Sequence, residues 1–200
     1  MRPVRGTGTR VFPRCGKGRG FERATRRGDP GGAIAVHTLI LGGASSGKSA
    51  LAERQAHALG GERVLYVATA LVGEDEDLQR RVKLHRDRRP PSWGTLEIGD
   101  LDEILDATEG WDAVLLDSLT LWVSAREGGQ ALAEFDRFLA GAGGLAVPVL
   151  IVSDEVGLGV VPESESGRIF RDVLGLVNQR AAEAAEAVYF CVSGIGLRIK

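Results

Sequence analysis

Cysteine is scarce in this 200-residue chain. Only Cys15 and Cys191 occur, one in an Arg-rich stretch and one in an apolar run that reads as a core strand, so neither a disulfide framework nor a zinc site is indicated. No apolar run approaches the ~20 residues needed to cross a bilayer. Nor does the N-terminal stretch hold the apolar core of a secretory signal. Aromatic residues make up 6% of the chain and are not interleaved with basic ones, which argues against nucleic acid as a partner of the folded part. The expectation is a cytoplasmic protein with no membrane insertion.

What is present is an ordinary core-forming composition, 44% hydrophobic, in a length that suits one α/β domain. The formal charge of −2 hides an asymmetry. Residues 1–37 hold eight Arg and one Lys against Glu22 and Asp29, a surplus of seven positive charges. The remainder, with sixteen basic and twenty-five acidic residues, carries −9. Residues 1–36, rich in Arg, Gly and Pro, show neither helical nor strand periodicity and are expected to be a disordered extension. Charge alone also allows a nucleic-acid-binding arm, and an Arg-rich, acid-poor segment superficially resembles a transit peptide. An upstream start site or a solvated extension is the preferred explanation, with the folded domain expected over 37–200.

The most informative stretch is Gly42-Gly43-Ala44-Ser45-Ser46-Gly47-Lys48-Ser49, which fits the phosphate-loop pattern G-x-x-x-x-G-K-[ST]. It follows Thr38–Leu41, readable as a short buried strand, and precedes Ala50–Ala56, readable as a helix, which is the context the motif requires. Glycines let backbone N–H groups turn inward on an anion, Lys48 brings a cation to the β- and γ-phosphates, and the Ser49 hydroxyl can ligate Mg²⁺. Such a loop names the phosphates and not the reaction.

Further along, Arg63–Ala68 reads as a second buried strand ending in Thr69, and the charged run Glu74–Arg89 as a polar helix stopped by Pro90-Pro91. Thr95–Ile98 reads as a short strand and Asp102–Thr108 as a short helix. Asp112–Asp117 is an apolar strand ending in a carboxylate. An acid at that position, beside the loop, can hold Mg²⁺, or can cap the following helix. Ala131–Ala142 is expected as a helix, Val147–Ser153 as a strand and Arg168–Ala187 as a long helix, with Ile169, Phe170, Val173, Val177, Ala181 and Ala184 on its apolar face. Val188–Val192 and Leu197–Lys200 read as a closing pair of strands. The alternation predicts a mostly parallel, doubly wound sheet with an antiparallel strand at its C-terminal end.

Several motifs in fixed order make a closer likeness. They are the loop itself, Tyr66-Val67-Ala68-Thr69, Arg81–Pro90 with Trp93 and Glu97, and Val114–Thr120, then Asp154–Glu163, Arg171-Asp172, Val177–Arg180 and Val192–Lys200. On these, Leu39–Lys200 resembles the bifunctional adenosylcobinamide kinase / adenosylcobinamide-phosphate guanylyltransferases of cobalamin biosynthesis. The resemblance implies a P-loop NTPase-like fold, phosphorylation of adenosylcobinamide from ATP or GTP, and then transfer of GMP from GTP by way of a GMP-histidine, with Mg²⁺ as cofactor. By position that histidine is His85. It also implies nucleotide contacts from Ala68, Thr69 and Ala70, from Arg86, Asp87, Arg88 and Arg89, and from Glu97 and Asp117, with Ser49 and Asp117 toward the metal. A homo-oligomer, a trimer by family, is implied as well.

Elementary chemistry points to His85 too. An imidazole attacks phosphorus only when neutral, and the surrounding Lys83, Arg86, Arg88 and Arg89 would favour that form and balance phosphate charge. The sequence departs from the family pattern at Ser45, Leu84, Arg88 and Asp154, positions where arginine, a second histidine, glycine and asparagine are frequent. The segment Trp122–Gly144 is also shorter than usual. Arg88, a side chain beside the nucleotide, leaves open an alternative, a P-loop small-molecule kinase without guanylyl transfer.

Overall fold

Leu39 and Ile40 are adjacent in sequence and both fully buried, but they belong to different hydrophobic clusters. Leu65 and Val67 part in the same way from Val64 and Tyr66, Val114 and Leu116 from Ala113 and Leu115, and Val149 and Ile151 from Leu150 and Val152. This period of two, with both faces apolar, belongs to a sheet sandwiched between layers. The computed structural model describes residues 36–69, 83, 86–127 and 129–200. Residues 1–35 of the expected N-terminal extension, Ala70 and His85 lie outside the described residues, as does most of the polar helix read over Glu74–Arg89.

Among the described residues the seven strands are β1 (Val36–Gly42), β2 (Val64–Ala68), β3 (Gly94–Glu97), β4 (Ala113–Asp117), β5 (Val149–Asp154), β6 (Ala185–Val192) and β7 (Ile195–Arg198). Their order is β3-β2-β4-β5-β1-β6-β7. Every pair is parallel except β6 with β7, so the sheet is the doubly wound one the alternation predicts. The helices are α1 (Lys48–Gly60), α2 (Glu103–Asp106), α3 (Leu119–Ser124), α4 (Gln130–Ala142) and α5 (Glu165–Ala184). Helix α1 covers one face through Ala52 and Ala56. Its approach is close, because a Cβ on Gly60 would lie 2.9 Å from that of Ala113. The other face packs under α3, α4 and α5, with Trp122, Phe135, Phe138, Leu174 and Val177 in its core. Among the described residues no helix is long and apolar enough to cross a membrane.

Two expectations need correction. The long helix ends at Ala184, and Ala185–Ala187 belong to β6. Parallel pairing of Val36 with Ala185 and of Thr38 with Ala187 overrides the helical preference of alanine. The apolar face of α5 is the expected one, with Val177 and Ala181 buried and Phe170, Val173 and Ala184 packed against the core, extended by buried Leu174 and Asn178 and with Ile169 exposed. β1 also starts at Val36, one residue ahead of the expected domain boundary.

Parallel strands bring their carboxyl ends to one edge, which is where ligands of such sheets bind. Gly42, Ala68, Glu97, Asp117 and Asp154 are the last residues of β1 to β5.

Candidate active site

The phosphate loop leaves β1 at Gly42 and becomes α1 at Lys48. Gly47 takes φ +91°, and a Cβ there would lie 2.9 Å from the Cα of Gly194. Only glycine fits both the left-handed backbone and the space. The Gly194 N–H donates to Ser46 O at 2.8 Å, so the tip of the β6–β7 hairpin is a backstop for the loop. That tip is a two-residue turn with positive φ at Ser193 and Gly194, the form that suits the twist of paired strands. The loop borders a cavity of about 770 Å³, lined by Ala44 to Ala50, Arg88 and Asp154 to Val156. Volume of this order suits a nucleotide-sized ligand.

Lys48 points along this cavity. Its Nζ lies 2.5 Å from Asp154 Oδ1 and donates to Gly43 O at 3.2 Å. Asp154 is itself fixed at the backbone. Its N–H donates to Thr120 Oγ1 at 2.8 Å, and its carbonyl accepts from Asn178 Nδ2 at 3.0 Å.

The segment that follows His85 is tied to three elements by three arginines. Arg86 meets Glu97 at the end of β3 at 3.4 Å, and Arg88 meets Glu53 on α1 at 3.2 Å. The Arg89 guanidinium lies 3.7 Å from the centroid of the Tyr66 ring, a cation–π contact. Tyr66 donates from its hydroxyl to Asp117 Oδ2 at 3.0 Å. Burial first, and then the Asp117 charge, pushes the Tyr66 phenol well above its ordinary pKa, so it remains a donor. Burial raises the Glu53 carboxyl, Arg88 draws it back, and Asp117 adds to the rise.

Asp117 does not end the strand beside the loop. β5 intervenes between β4 and β1, and the acid directly opposite Gly42 is Asp154. This corrects the expectation that placed Asp117 next to the loop. Among the described residues no three or more His, Cys, Asp or Glu converge as a metal cage. Mg²⁺ takes hard oxygen ligands and needs no such cage. Ser49 and Asp154 both line the cavity and are the hard oxygen donors Mg²⁺ takes, so the residues fit such an ion.

Residues 38–199 match the family described as cobinamide kinase / cobinamide phosphate guanyltransferase. The chain belongs to that family. It is 40% identical over 185 residues to the bifunctional adenosylcobalamin biosynthesis protein CobU of Escherichia coli (strain K12), covering 81% of this chain and 98% of that protein. It is 42% identical over 171 residues to CobP of Pseudomonas aeruginosa, covering 82% and 98%, and 38% identical over 183 residues to CobU of Salmonella typhimurium, covering 81% and 98%. Among solved structures it is similar to the flagellar accessory protein FlaH from Methanocaldococcus jannaschii, with TM-score 0.43, 17% identity, and 79% and 71% of the two chains covered. A solved ATPase domain matches with TM-score 0.48, 16% identity, and coverage of 79% and 69%.

The residues that the kinase and guanyltransferase family implies fall into two joined groups. Ala44 to Ser49 line the loop cavity, which Gly42 and Gly43 lead into. Ala68, Glu97 and Asp117 stand at neighbouring strand ends, with Thr69 just beyond β2. The Thr69 hydroxyl donates to Ser118 O at 2.7 Å, which pins the ends of β2 and β4 together. Arg88 lines the cavity while bonded to α1, so it joins the groups. Asp87 is exposed beside it. The other two histidines are otherwise engaged, His37 with Glu186 at 2.9 Å and His57 with Gly61 O at 3.0 Å. Glu53 lies outside the motifs, and the Tyr66–Asp117 and Lys48–Asp154 contacts are site features that the motifs, though they contain these residues, do not assign. Asp154 ends an apolar run just as Asp117 does, which is the signal that could have marked it.

Proposed function

We propose that this chain moves the γ-phosphoryl group of ATP or GTP to the aminopropanol hydroxyl of adenosylcobinamide, and then moves GMP from GTP to the new phosphate, giving adenosylcobinamide-GDP. The observation that carries the reading is the joining of two groups within one family match: a phosphate loop whose lysine faces a nucleotide-sized cavity, and an arginine-rich segment docked on the same strand ends. In the first reaction the alcohol oxygen bonds to the γ-phosphorus as the β,γ-bridge breaks. Lys48 and the loop N–H groups balance the charge spread over the transferring group. Bound Mg²⁺ would supply further charge neutralisation between the phosphates, with Ser49 and an acid from the strand ends, Asp117 or Asp154, holding it.

In the second reaction neutral His85 attacks the α-phosphorus of GTP and pyrophosphate leaves. The cobinamide phosphate oxygen then displaces histidine from the phosphoramidate. Arg86, Arg88 and Arg89 suit the anionic phosphates, and Glu97 suits guanine because a carboxylate accepts from N1–H and the 2-amino group. We place the reactions in the cytoplasm, on a homo-oligomer.

Incubation with GTP labelled at the α-phosphate, followed by a denaturing gel, tests the mechanism. Acid-labile, alkali-stable label should stay on the parent protein and vanish in His85→Ala together with guanylyl transfer, while kinase turnover largely survives. Lys48→Ala should do the reverse to the kinase step and lower it about 100-fold or more. Label that persists without His85, or near-normal kinase turnover without Lys48, sinks the corresponding assignment. A parent that binds GTP and never labels leaves the kinase-only reading ahead.

A further inference from the structure

The lysine that should meet the phosphates is already engaged. Lys48 Nζ sits 2.5 Å from Asp154 Oδ1, and the two side chains are only 13% and 24% exposed. Glu155, the other carboxylate lining the cavity, is turned toward the Gly157 N–H at 2.6 Å. Asp154 cannot easily retreat with its backbone, because Thr120 and Asn178 hold its N–H and C=O and β1 pairs beside it. A triphosphate reaching Lys48 must therefore come within a few ångströms of this carboxylate. Like charges at that range repel strongly where water is partly excluded.

We propose that Asp154 makes the phosphate loop selective for a nucleoside triphosphate that carries a divalent cation, over the same triphosphate free of metal. The proposal rests on the nucleotide-binding reading of the loop. Against a metal-free triphosphate, Asp154 keeps its hold on Lys48 and adds repulsion. Against the complexed form, Asp154 faces a nucleotide with much of its charge offset, and it releases Lys48 to the phosphate oxygens. Asp154 thus sets which form of the nucleotide binds.

The test is equilibrium binding of a non-hydrolysable GTP analogue by calorimetry, once with excess Mg²⁺ and once with a chelator. Asp154→Asn keeps the shape and the backbone anchors and removes only the charge. It should tighten binding of the metal-free analogue about tenfold or more, so that the preference for the Mg²⁺ complex collapses. Asp154→Ser, also uncharged, should show the same collapse, which guards against a fault peculiar to one variant. An unchanged preference in both variants overturns the proposal, as does a collapse produced by Asp117→Asn and not by either of them. Failure of the underlying reading looks different. The parent then binds the analogue under neither condition, or Lys48→Ala binds as well as the parent, and the proposal falls with it.

Discussion

Glu53 reaches from α1 to Arg88 at 3.2 Å, yet its carboxyl is held above the ordinary range, chiefly by burial and against the pull of that arginine. A raised folded pKa means that the fold prefers the protonated acid. The stability tied to that preference is fully present below the ordinary glutamate range and is lost as pH rises through the folded value. Glu53→Gln, which mimics the protonated acid, should therefore melt at or above the parent near about pH 7 and match it near about pH 4. Thermal melts of both proteins at the two pH values check this. A variant that is less stable only at the higher pH would show that attraction to Arg88 outweighs burial. At this scale the sequence was most readable where chemistry is local. Gly42 to Ser49 act as one contiguous loop, so spacing alone identifies them. The Lys48–Asp154 and Tyr66–Asp117 contacts depend on which strands are neighbours, and no local spacing encodes that.

Strands β1, β2, β4 and β5 were legible as elements because each is an apolar run five to seven residues long between turn signals. Helix α3 gave no such signal. Its six residues include Leu119, Trp122 and Val123, too short a run to show a helical period and rich in types that also favour strands. The end of α5 was misread for a related reason, since the alanines of 184–187 carry no local instruction to stop and the edge of β1 supplies it. The β6–β7 hairpin shows what element packing adds to a motif. Gly47 and Gly194 both have positive φ, but an added Cβ would strike Gly194 Cα from Gly47, whereas nothing lies within 4 Å of one on Gly194. Gly194→Ala should cost only the backbone strain, about 1–2 kcal/mol. Gly47→Ala should cost more, about 2–4 kcal/mol, and should also weaken nucleotide binding, because the hairpin must move away from the loop. Denaturant midpoints, with nucleotide titrations of both variants, would decide it. Equal losses would mean that the hairpin yields easily and is no backstop.

Across the whole molecule, charge and hydrophobic pattern divide at the same place. The nine basic residues of 1–37 face two acids, and β1 opens at Val36, so the basic surplus stops where the sheet begins. The family match likewise spans 38–199. A segment with no apolar periodicity has little to bury, and its arginines gain most from staying hydrated. Removing residues 1–34, which leaves β1 intact, should therefore shift the melting temperature by less than about 2 °C, the change that roughly 0.5–1 kcal/mol would bring in a domain of this size. Both activities should be retained, because the loop, the strand ends and the arginines after His85 all lie outside the deletion. The same truncation reads out the nucleic-acid alternative that charge permits. If the parent binds RNA or DNA in a salt-sensitive manner and the truncated chain does not, the extension is a nucleic-acid arm joined to the enzyme. A drop of many degrees, or the loss of either reaction, would instead show that residues 1–34 pack against the domain and contribute to its fold.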